Sequence, residues 1–551
     1  MSDRARLGSL LARIDGASYP AYKQLRGRWD LGDIELIVDH VQGDPFAAPS
    51  RVRVRRRTDL PASALSDPDA NEAACDWLLR RFGAALGRGE RRGSGRSGEL
   101  SVYRPGPEIL QRSALRLEAD GTAEVRFLAG LPGRGRRIAG HAAAQLLLDD
   151  IPAASTSLSY RPDLDEHVAS VQRQRALRRA LPEHGLLAFL ANGSILPRQS
   201  GVSDAPMPDA VPLQAPGSLE VTLDTPFGPV RGLGVRRGIT LITGGGFHGK
   251  STLLAAIQTG HLDFVPGDGR EQVVTVPTAV KIRAEDGRRV ERVDISGFLN
   301  ELPGGRSTAP MSTDDASGST SQAAALVEAV ESGATVVLLD EDTSATNLLV
   351  RDERMRQLIP REREPITPFV ERVVQVATEW MVSTVMVVGG VGDYLAVADT
   401  VLGMMAYHPT DLTDKAREIA GPVPATPGPL PPVRPRVVLR RGLAPTGKGK
   451  IRARDTRWLE YGRTDIDLTA VDQVLDAAQA RTIGRALALM HDELVDDRRD
   501  VRQVLDALEA ILDDEGLEVL SAFDTPDGGL VRPRRHEVLA TLSRLRSLQI
   551  R

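Results

Sequence analysis

The run ITLITGGGFHGKSTLLAAIQ, residues 239–258, decides the fold. ITLIT reads as a short buried strand, and STLLAAIQ repeats apolar residues at helical spacing. Between them Gly244, Gly245, Gly246, Phe247, His248, Gly249, Lys250 and Ser251 satisfy G-x-x-x-x-G-K-[ST]. In that strand–loop–helix context the glycines permit backbone angles that aim N–H groups inward at phosphates. The adjoining helix N-terminus favours the same negative charge. Lys250 is expected to reach the β- and γ-phosphates, Ser251 to ligate Mg²⁺, and Thr252 to add an α-phosphate contact. His248 lies inside the loop and receives no catalytic role.

The next signal outward is Thr335-Val-Val-Leu-Leu followed by Asp340 and Glu341. An apolar run ending in two acids places carboxylates at the carboxyl edge of a parallel sheet, where ligands bind in open α/β folds. Asp340 is the expected Mg²⁺ ligand and Glu341 the general base that polarises an attacking water. Residues 216–425 alternate strand-like runs (GITLITG, ATVVLLD, STVMVVGG) with helical ones, the pattern of a parallel α/β domain. The turn-rich PRQSGVSDAPMPDAVPLQAPGS precedes it and the Pro-rich GPVPATPGPLPPVRPR follows it. Three regions result: an α+β region at 1–215, an ATPase-like α/β domain at 216–425, and a basic linker plus mainly helical region at 426–551.

With 26% charged and 41% hydrophobic residues, the 551-residue chain has the balance of a soluble globular protein of several domains. No apolar run reaches the roughly 18 residues a membrane span needs. The N-terminal MSDRARLGSLLARIDG lacks the apolar core of a secretory signal. Cys75, the single cysteine, excludes an internal disulfide framework, and the cytoplasm is the expected compartment. Net charge is only −4, but its distribution is uneven. Arg51, Arg53 and Arg55 alternate with valines, so one strand face carries guanidinium groups. Nine basic residues and one acid, Asp455, fall between Pro431 and Arg457, close to Trp458 and Tyr461. Basic groups that track a backbone beside rings that stack on bases suit single-stranded nucleic acid. Arg51, Arg53, Arg55, Lys448, Lys450, Arg452 and Arg454 are the candidate contacts; a solvated basic edge is the plainer reading of the same residues.

Several further motifs carry a resemblance. Ala316-Ser317-Gly318-Ser319-Thr-Ser-Gln322 resembles the signature loop of ABC ATPases, and Asp340 follows Ser317 by 23 residues. Asp342-Thr-Ser-Ala-Thr-Asn347 is similar to their D-loop. Val385 to Gly390 and Asp399 resemble the switch-histidine strand and the aspartate beyond it. With PGDGRE, GGVGDY, YPAYKQLRG, VQGDPFAAPSRV, LPGRGR and IDLTAVDQ, the chain is similar over most of its length to the family of predicted ATPases of the ABC class, one member of which belongs to the trypanosome mitochondrial RNA-editing machinery. The resemblance implies ATP and Mg²⁺, no membrane domain, a homodimer, and single-stranded RNA binding in that relative. It also implies that Ser317, Gly318 and Ser319 of one chain cap the triphosphate on the other chain's Lys250 loop.

This sequence departs from the family pattern of ABC ATPases in three places. Gly390 stands where the switch histidine would be, with Asp393 nearby as a partial substitute. No glutamine falls in the Q-loop window, Gln272 being too near the phosphate loop; Ser296 or Asn300 could stand there, or an ordinary loop. Phe227 is the candidate adenine-stacking ring, or else a buried hydrophobe. His141 and His261 are solitary and read as structural. The expected function is a slow, ATP-gated dimeric clamp, with a small-molecule kinase and a non-hydrolysing scaffold as the alternatives.

Overall fold

The computed structural model describes residues 2–551 apart from 91, 202, 301, 303, 304, 306, 360–362 and 448. The chain folds into two compact units. Residues 1–172, 264–266 and 517–532 form one, and 173–263, 267–516 and 533–551 form the other.

The first unit is built on an antiparallel sheet. Its strands are β1 (Gly27–Asp30), β2 (Glu35–His40), β3 (Ser50–Arg57), β4 (Leu100–Val102), β5 (Leu115–Leu117) and β6 (Thr122–Ala129). Their order is β1-β2-β3-β6-β4, with β5 also paired to β6. The alternation in β3 does what a pleat requires: Val52 and Val54 are buried while the arginines take the other face. Helix α1 (Pro68–Leu86) starts from an Asp67 cap that accepts the Ala70 N–H, with Pro68 in its first turn. It sets Leu78, Phe82 and Leu86 in the same core as the β3 valines.

The second unit begins with the latter half of α2 (Asp163–Ala180). Strands β7 (Leu186–Ala191), β8 (Glu220–Thr225), β9 (Gly228–Arg236) and β10 (Ile239–Thr243) lead to helix α3 (Lys250–Thr259). There follow β11 (Val273–Thr275), β12 (Ala279–Lys281), the pair β13 (Arg288–Val293) and β14 (Met311–Ala316), α4 (Gly318–Glu331) and β15 (Val336–Asp340). Strands β16 (Ser383–Val387), β17 (Thr400–Met405) and β18 (His408–Asp411) complete the central sheet. Its order is β12-β15-β16-β10-β17-β18, and all neighbours are parallel except β17 and β18. Strands covered on both faces read as unbroken apolar runs, which is why ITLIT, TVVLL and STVMV show no alternation. Leu253, Leu254 and Ile257 of α3 cover one face, against Ile242, Leu338 and Val385. Ala323, Ala324 and Val327 of α4 cover the other, against Leu241, Val337 and Met386.

A second, antiparallel sheet has the order β8-β9-β7-β11. Because β7 inserts between β9 and β11, residues from 173 onward belong to this unit, and the expected break at 215 falls inside it. The C-terminal region combines a small sheet, β19 (Ile451–Ala453), β20 (Trp458–Tyr461) and β21 (Thr464–Asp467), with helices α5 (Ala477–Leu489), α6 (Val501–Asp514) and α7 (Arg535–Arg544). The fold is an α/β nucleotide-binding core flanked by a β-rich N-terminal region and a largely helical C-terminal one. Among the described residues no helix is long and apolar enough to cross a membrane.

Candidate nucleotide site

Gly244–Gly249 form the turn from β10 into α3, and only an unusual backbone closes it. Gly244, Phe247 and Gly249 have φ of 137°, 63° and 94°. A Cβ on Gly244 would lie 2.3 Å from the Met404 carbonyl oxygen, so glycine is required by both angle and space. Lys250 opens α3, and its Nζ donates to the carbonyls of Gly244 and Gly245 at 2.8 Å each. Ser251 and Thr252 follow in the first helical turn, with Ser251 exposed. His248 is a fastener. Its Nδ1 accepts the Ala406 N–H at 2.8 Å and its carbonyl accepts the Tyr407 N–H at 3.2 Å. The β17–β18 hairpin is thereby tied to the phosphate loop.

Two strands away, β15 delivers Asp340 to the same carboxyl edge, 8% exposed, with its carboxylate accepting the Asp342 N–H. Between them β16 ends at the diglycine. Gly389 and Gly390 donate their N–H groups to Glu341 Oε2 at 2.6 and 3.1 Å. The position that lacks a histidine side chain therefore supplies backbone donors instead, aimed at the candidate base. Asp399 sits at the opposite, amino edge, where it accepts the Ile239 N–H at 2.8 Å and anchors the start of β10. Asp393 is exposed in the short helical turn after the diglycine.

The signature-like segment caps a helix. Ser317 is the N-cap of α4, its side chain accepting from the Thr320 N–H. Gly318 packs in the space between Asp286 and Ala345, and Ser319 is 7% exposed. Gln322 is buried and spans to the D-loop-like turn: its Nε2 donates to Ser344 Oγ at 3.0 Å and its Oε1 accepts the Ala345 N–H at 2.7 Å. Among the described residues no hydrogen bond joins Ser317–Ser319 to the Lys250 loop of the same chain.

The strand beside β15 is β12, and the loop leaving it is 282–287. Ser296 and Asn300 lie beyond β13 instead, where Ser296 Oγ donates to Asp294 and the Asn300 N–H to Pro365. Neither takes the place at the sheet edge suggested for them. What stands there is Lys281, buried, whose ammonium burial pushes below the ordinary lysine range against the pull of Asp340 and Asp472. Gln473, from the IDLTAVDQ motif, closes this edge strand by accepting the Lys281 N–H at 3.0 Å and donating to the Ala279 carbonyl at 3.2 Å. Phe227 is 39% exposed at the β8–β9 hairpin tip, with the Arg173 guanidinium 5.4 Å from its ring centre. His261 is partly buried with its Nδ1 3.0 Å from the Gln258 carbonyl, and desolvation together with the Arg534 charge drives its imidazole well below the ordinary range.

The basic clusters are largely spent on carboxylates. Arg53 is clamped by Asp39 at 2.7 and 2.8 Å and by Glu124 at 2.8 Å. Arg55 pairs with Glu118 and Glu35, and Arg51 stacks on Phe523 and donates to Thr525. Arg53 thus spends its guanidinium inside its own unit, whereas the buried Nε atoms of Arg51 and Arg55 carry no hydrogen bond among the described residues. In the C-terminal region Lys450 pairs with Glu460 and Arg454 with Asp465, all on the exposed face of the β19–β21 sheet. Arg452 is exposed on that face, and Lys448 lies outside the described residues.

Ser251 and Asp340 offer a hydroxyl and a carboxylate, the hard oxygen donors that suit Mg²⁺. If bound there, the ion would neutralise phosphate charge. Lysine, phosphate loop, acidic strand edge and capped helix together define a P-loop nucleotide-binding domain of ABC type. Three family models match the chain in succession: an N-terminal domain of ATPases of the ABC class over 4–160, a P-loop domain over 160–428, and the MRB1590 C-terminal domain over 450–551. The chain belongs to the family of ABC-class ATPases. It is 34% identical over 201 residues to the uncharacterized protein MJ1628 of Methanocaldococcus jannaschii. That stretch is 34% of this chain and 44% of the relative, so less than half of that protein is matched. Among solved structures it is similar to MJ1267, an ATP-binding cassette of an ABC transporter, in its ADP conformation (12% identity, 36% of this chain, 91% of that one, TM-score 0.22). It is also similar to cbiO1 from Clostridium perfringens, part of the transporter complex cbiONQ (12%, 41%, 87%, 0.23).

Proposed function

We propose that this protein is a cytoplasmic ATPase that hydrolyses ATP slowly and works as an ATP-gated homodimeric clamp on single-stranded nucleic acid, RNA in preference. The observation that carries the reading is the order of groups along one sheet edge: Asp340 ending β15 with Glu341 just after it, the diglycine just beyond β16, and the Lys250 loop following β10. Lys250 neutralises the phosphates and Glu341 takes the proton of the attacking water. Slow turnover is supported by the two N–H groups already satisfying Glu341 Oε2, since a base so held has fewer lone pairs for water. The capped Ser317 turn, which among the described residues makes no hydrogen bond to its own phosphate loop, suits a role on the partner's triphosphate. The exposed face with Lys450, Arg452, Arg454 and the 39% exposed Trp458 remains the surface that suits nucleic acid.

The first test is Glu341→Gln, expected to abolish phosphate release and trap an ATP-bound dimer on size exclusion. Label from γ-phosphate appearing on a metabolite would make the protein a kinase, and a parent that releases no phosphate would make it a scaffold. The second is binding of single-stranded RNA, single-stranded DNA and duplex, with and without ATP, across a salt series. Affinity that ignores salt sinks the clamp.

A further inference from the structure

The order of strands also fixes where the other end of the nucleotide must go. Along the carboxyl edge the carboxylates on β15 stand to one side of the phosphate loop on β10, and β17 stands immediately to the other. Neighbouring strands are about 4.8 Å apart. With the terminal phosphate toward Asp340 and Glu341, the nucleoside runs out over the β17–β18 hairpin. There Met405 is 69% and Tyr407 39% exposed. Ala406 and Tyr407 both have positive φ, 46° and 68°. A tyrosine held in the left-handed region is strained and persists only when its surroundings demand it. Here the surroundings are the two His248 hydrogen bonds, and the Tyr407 ring packs where a side chain on Gly249 would be: a Cβ there would lie 2.8 Å from Cδ1. One edge of the ring thus rests on the phosphate loop, while part of it stays open to solvent. Phe227, by contrast, turns to Arg173 of α2, and Leu177 and Leu181 of that helix cover the face of the β8-β9-β7-β11 sheet opposite α3.

We infer that Tyr407, seated by His248 and flanked by Met405, is the platform on which the nucleobase stacks. The inference rests on the reading that the Lys250 loop takes ATP. It explains two features that chance would leave unconnected, a histidine inside the phosphate loop and a strained aromatic turn 159 residues later.

The test uses the full-length chain and two probes, ATP and inorganic tripolyphosphate, titrated by calorimetry. Tyr407→Ala should weaken ATP by about tenfold and leave tripolyphosphate unchanged, and Tyr407→Phe should keep parental ATP affinity. Equal weakening of both probes would show that Tyr407 only props the loop, and parental ATP binding by Tyr407→Ala would likewise overturn the proposal. Lys250→Ala separates the two readings. If it binds both probes like the parent, the cradle itself is wrong; if it loses both while Tyr407→Ala loses neither, only the platform is. Should Tyr407→Ala fail to fold, photolabelling of the unaltered protein with azido-ATP decides. Label on peptides of the 400–411 hairpin supports the platform, and label on the 220–236 hairpin that bears Phe227 refutes it.

Discussion

Arg436 lies in the Pro-rich linker, where sequence suggests flexibility, yet its side chain is 9% exposed. Its Nε and Nη2 donate to Glu331 at 2.8–3.2 Å, its own N–H donates to the same carboxylate at 2.6 Å, and Nη1 reaches the Glu291 carbonyl at 2.8 Å. Glu328 lies one turn earlier on α4 and is held by the fully buried Arg288. Two guanidiniums thus balance two carboxylates inside the protein. Replacing Arg436 by Met keeps much of the packing and removes the charge, leaving Glu331 unpaired where its side chain is only 2% exposed. An uncompensated buried charge costs about 3–5 kcal/mol. Urea unfolding should register a loss of that size, and amide exchange should open first at the C-terminal turns of α4. Arg436→Met combined with Glu331→Gln should recover most of the loss, because the orphaned charge is gone. A single-variant loss below about 1 kcal/mol, the range of exposed pairs, would refute the claim that this cluster locks the linker to the signature helix.

Other perturbations have equally definite outcomes. Gly244→Ala forces both a positive φ and a 2.3 Å approach to the Met404 carbonyl, so ATP binding measured by calorimetry should fall below detection while the far-ultraviolet dichroism is retained. Gln322→Ala removes the donor to Ser344 and orphans the Ala345 N–H; about 2–3 kcal/mol of stability should be lost by urea unfolding, and Gln322→Leu should not restore it. His536 is buried on Ser332, and burial with Arg534 and Arg535 nearby holds its imidazole well below the ordinary 6.5. The folded protein then binds fewer protons than the unfolded chain below that value. Stability is fully present above it and declines as pH falls, by about 1.4 kcal/mol per unit for this one group. His536→Asn should flatten the fall in urea midpoint between about pH 6.5 and pH 5, leaving the share that His261 contributes.

The central sheet was legible because its signals are local. A phosphate loop needs glycine at specified positions, and a strand covered on both faces has to be apolar throughout, so 239–258 and 335–341 announce themselves. Gln322 was legible as part of a motif, although its bonds to Ser344 and Ala345 become visible only when α4 and the turn after β15 meet. Tyr407 and Lys281 were not legible. Each draws its meaning from strand order, which places β17 beside β10 and β12 beside β15 across long stretches of chain. The diglycine was read for the side chain it lacks, whereas its chemistry lies in backbone N–H groups that every residue except proline possesses.

The arginines show the same limit from the opposite side. R-V-R-V-R has the charge density of a phosphate-binding strand, and Asp39, Glu118 and Glu124 are far enough away in sequence to look unrelated. Antiparallel pairing puts Arg53 opposite Ile37 and Arg126, and Arg55 opposite Glu35 and Glu124, so the acids arrive on neighbouring strands. Buried or half-buried guanidiniums need such partners, because desolvating a charge without one costs several kcal/mol. A basic run flanked in space by acids is therefore an internal network, and only one whose neighbours are neutral or aromatic is available to a polyanion. By that criterion Arg53 drops out. Beside β19, Lys450 and Arg454 are each 56% exposed, and an ion pair made by so exposed a cation is worth at most about 1 kcal/mol, so a phosphate can displace it. If the clamp grips a nucleic acid, charge reversal of Arg452 and Lys450 should therefore weaken it and shallow its salt dependence, whereas reversal at Arg53 should damage the fold before it touches affinity.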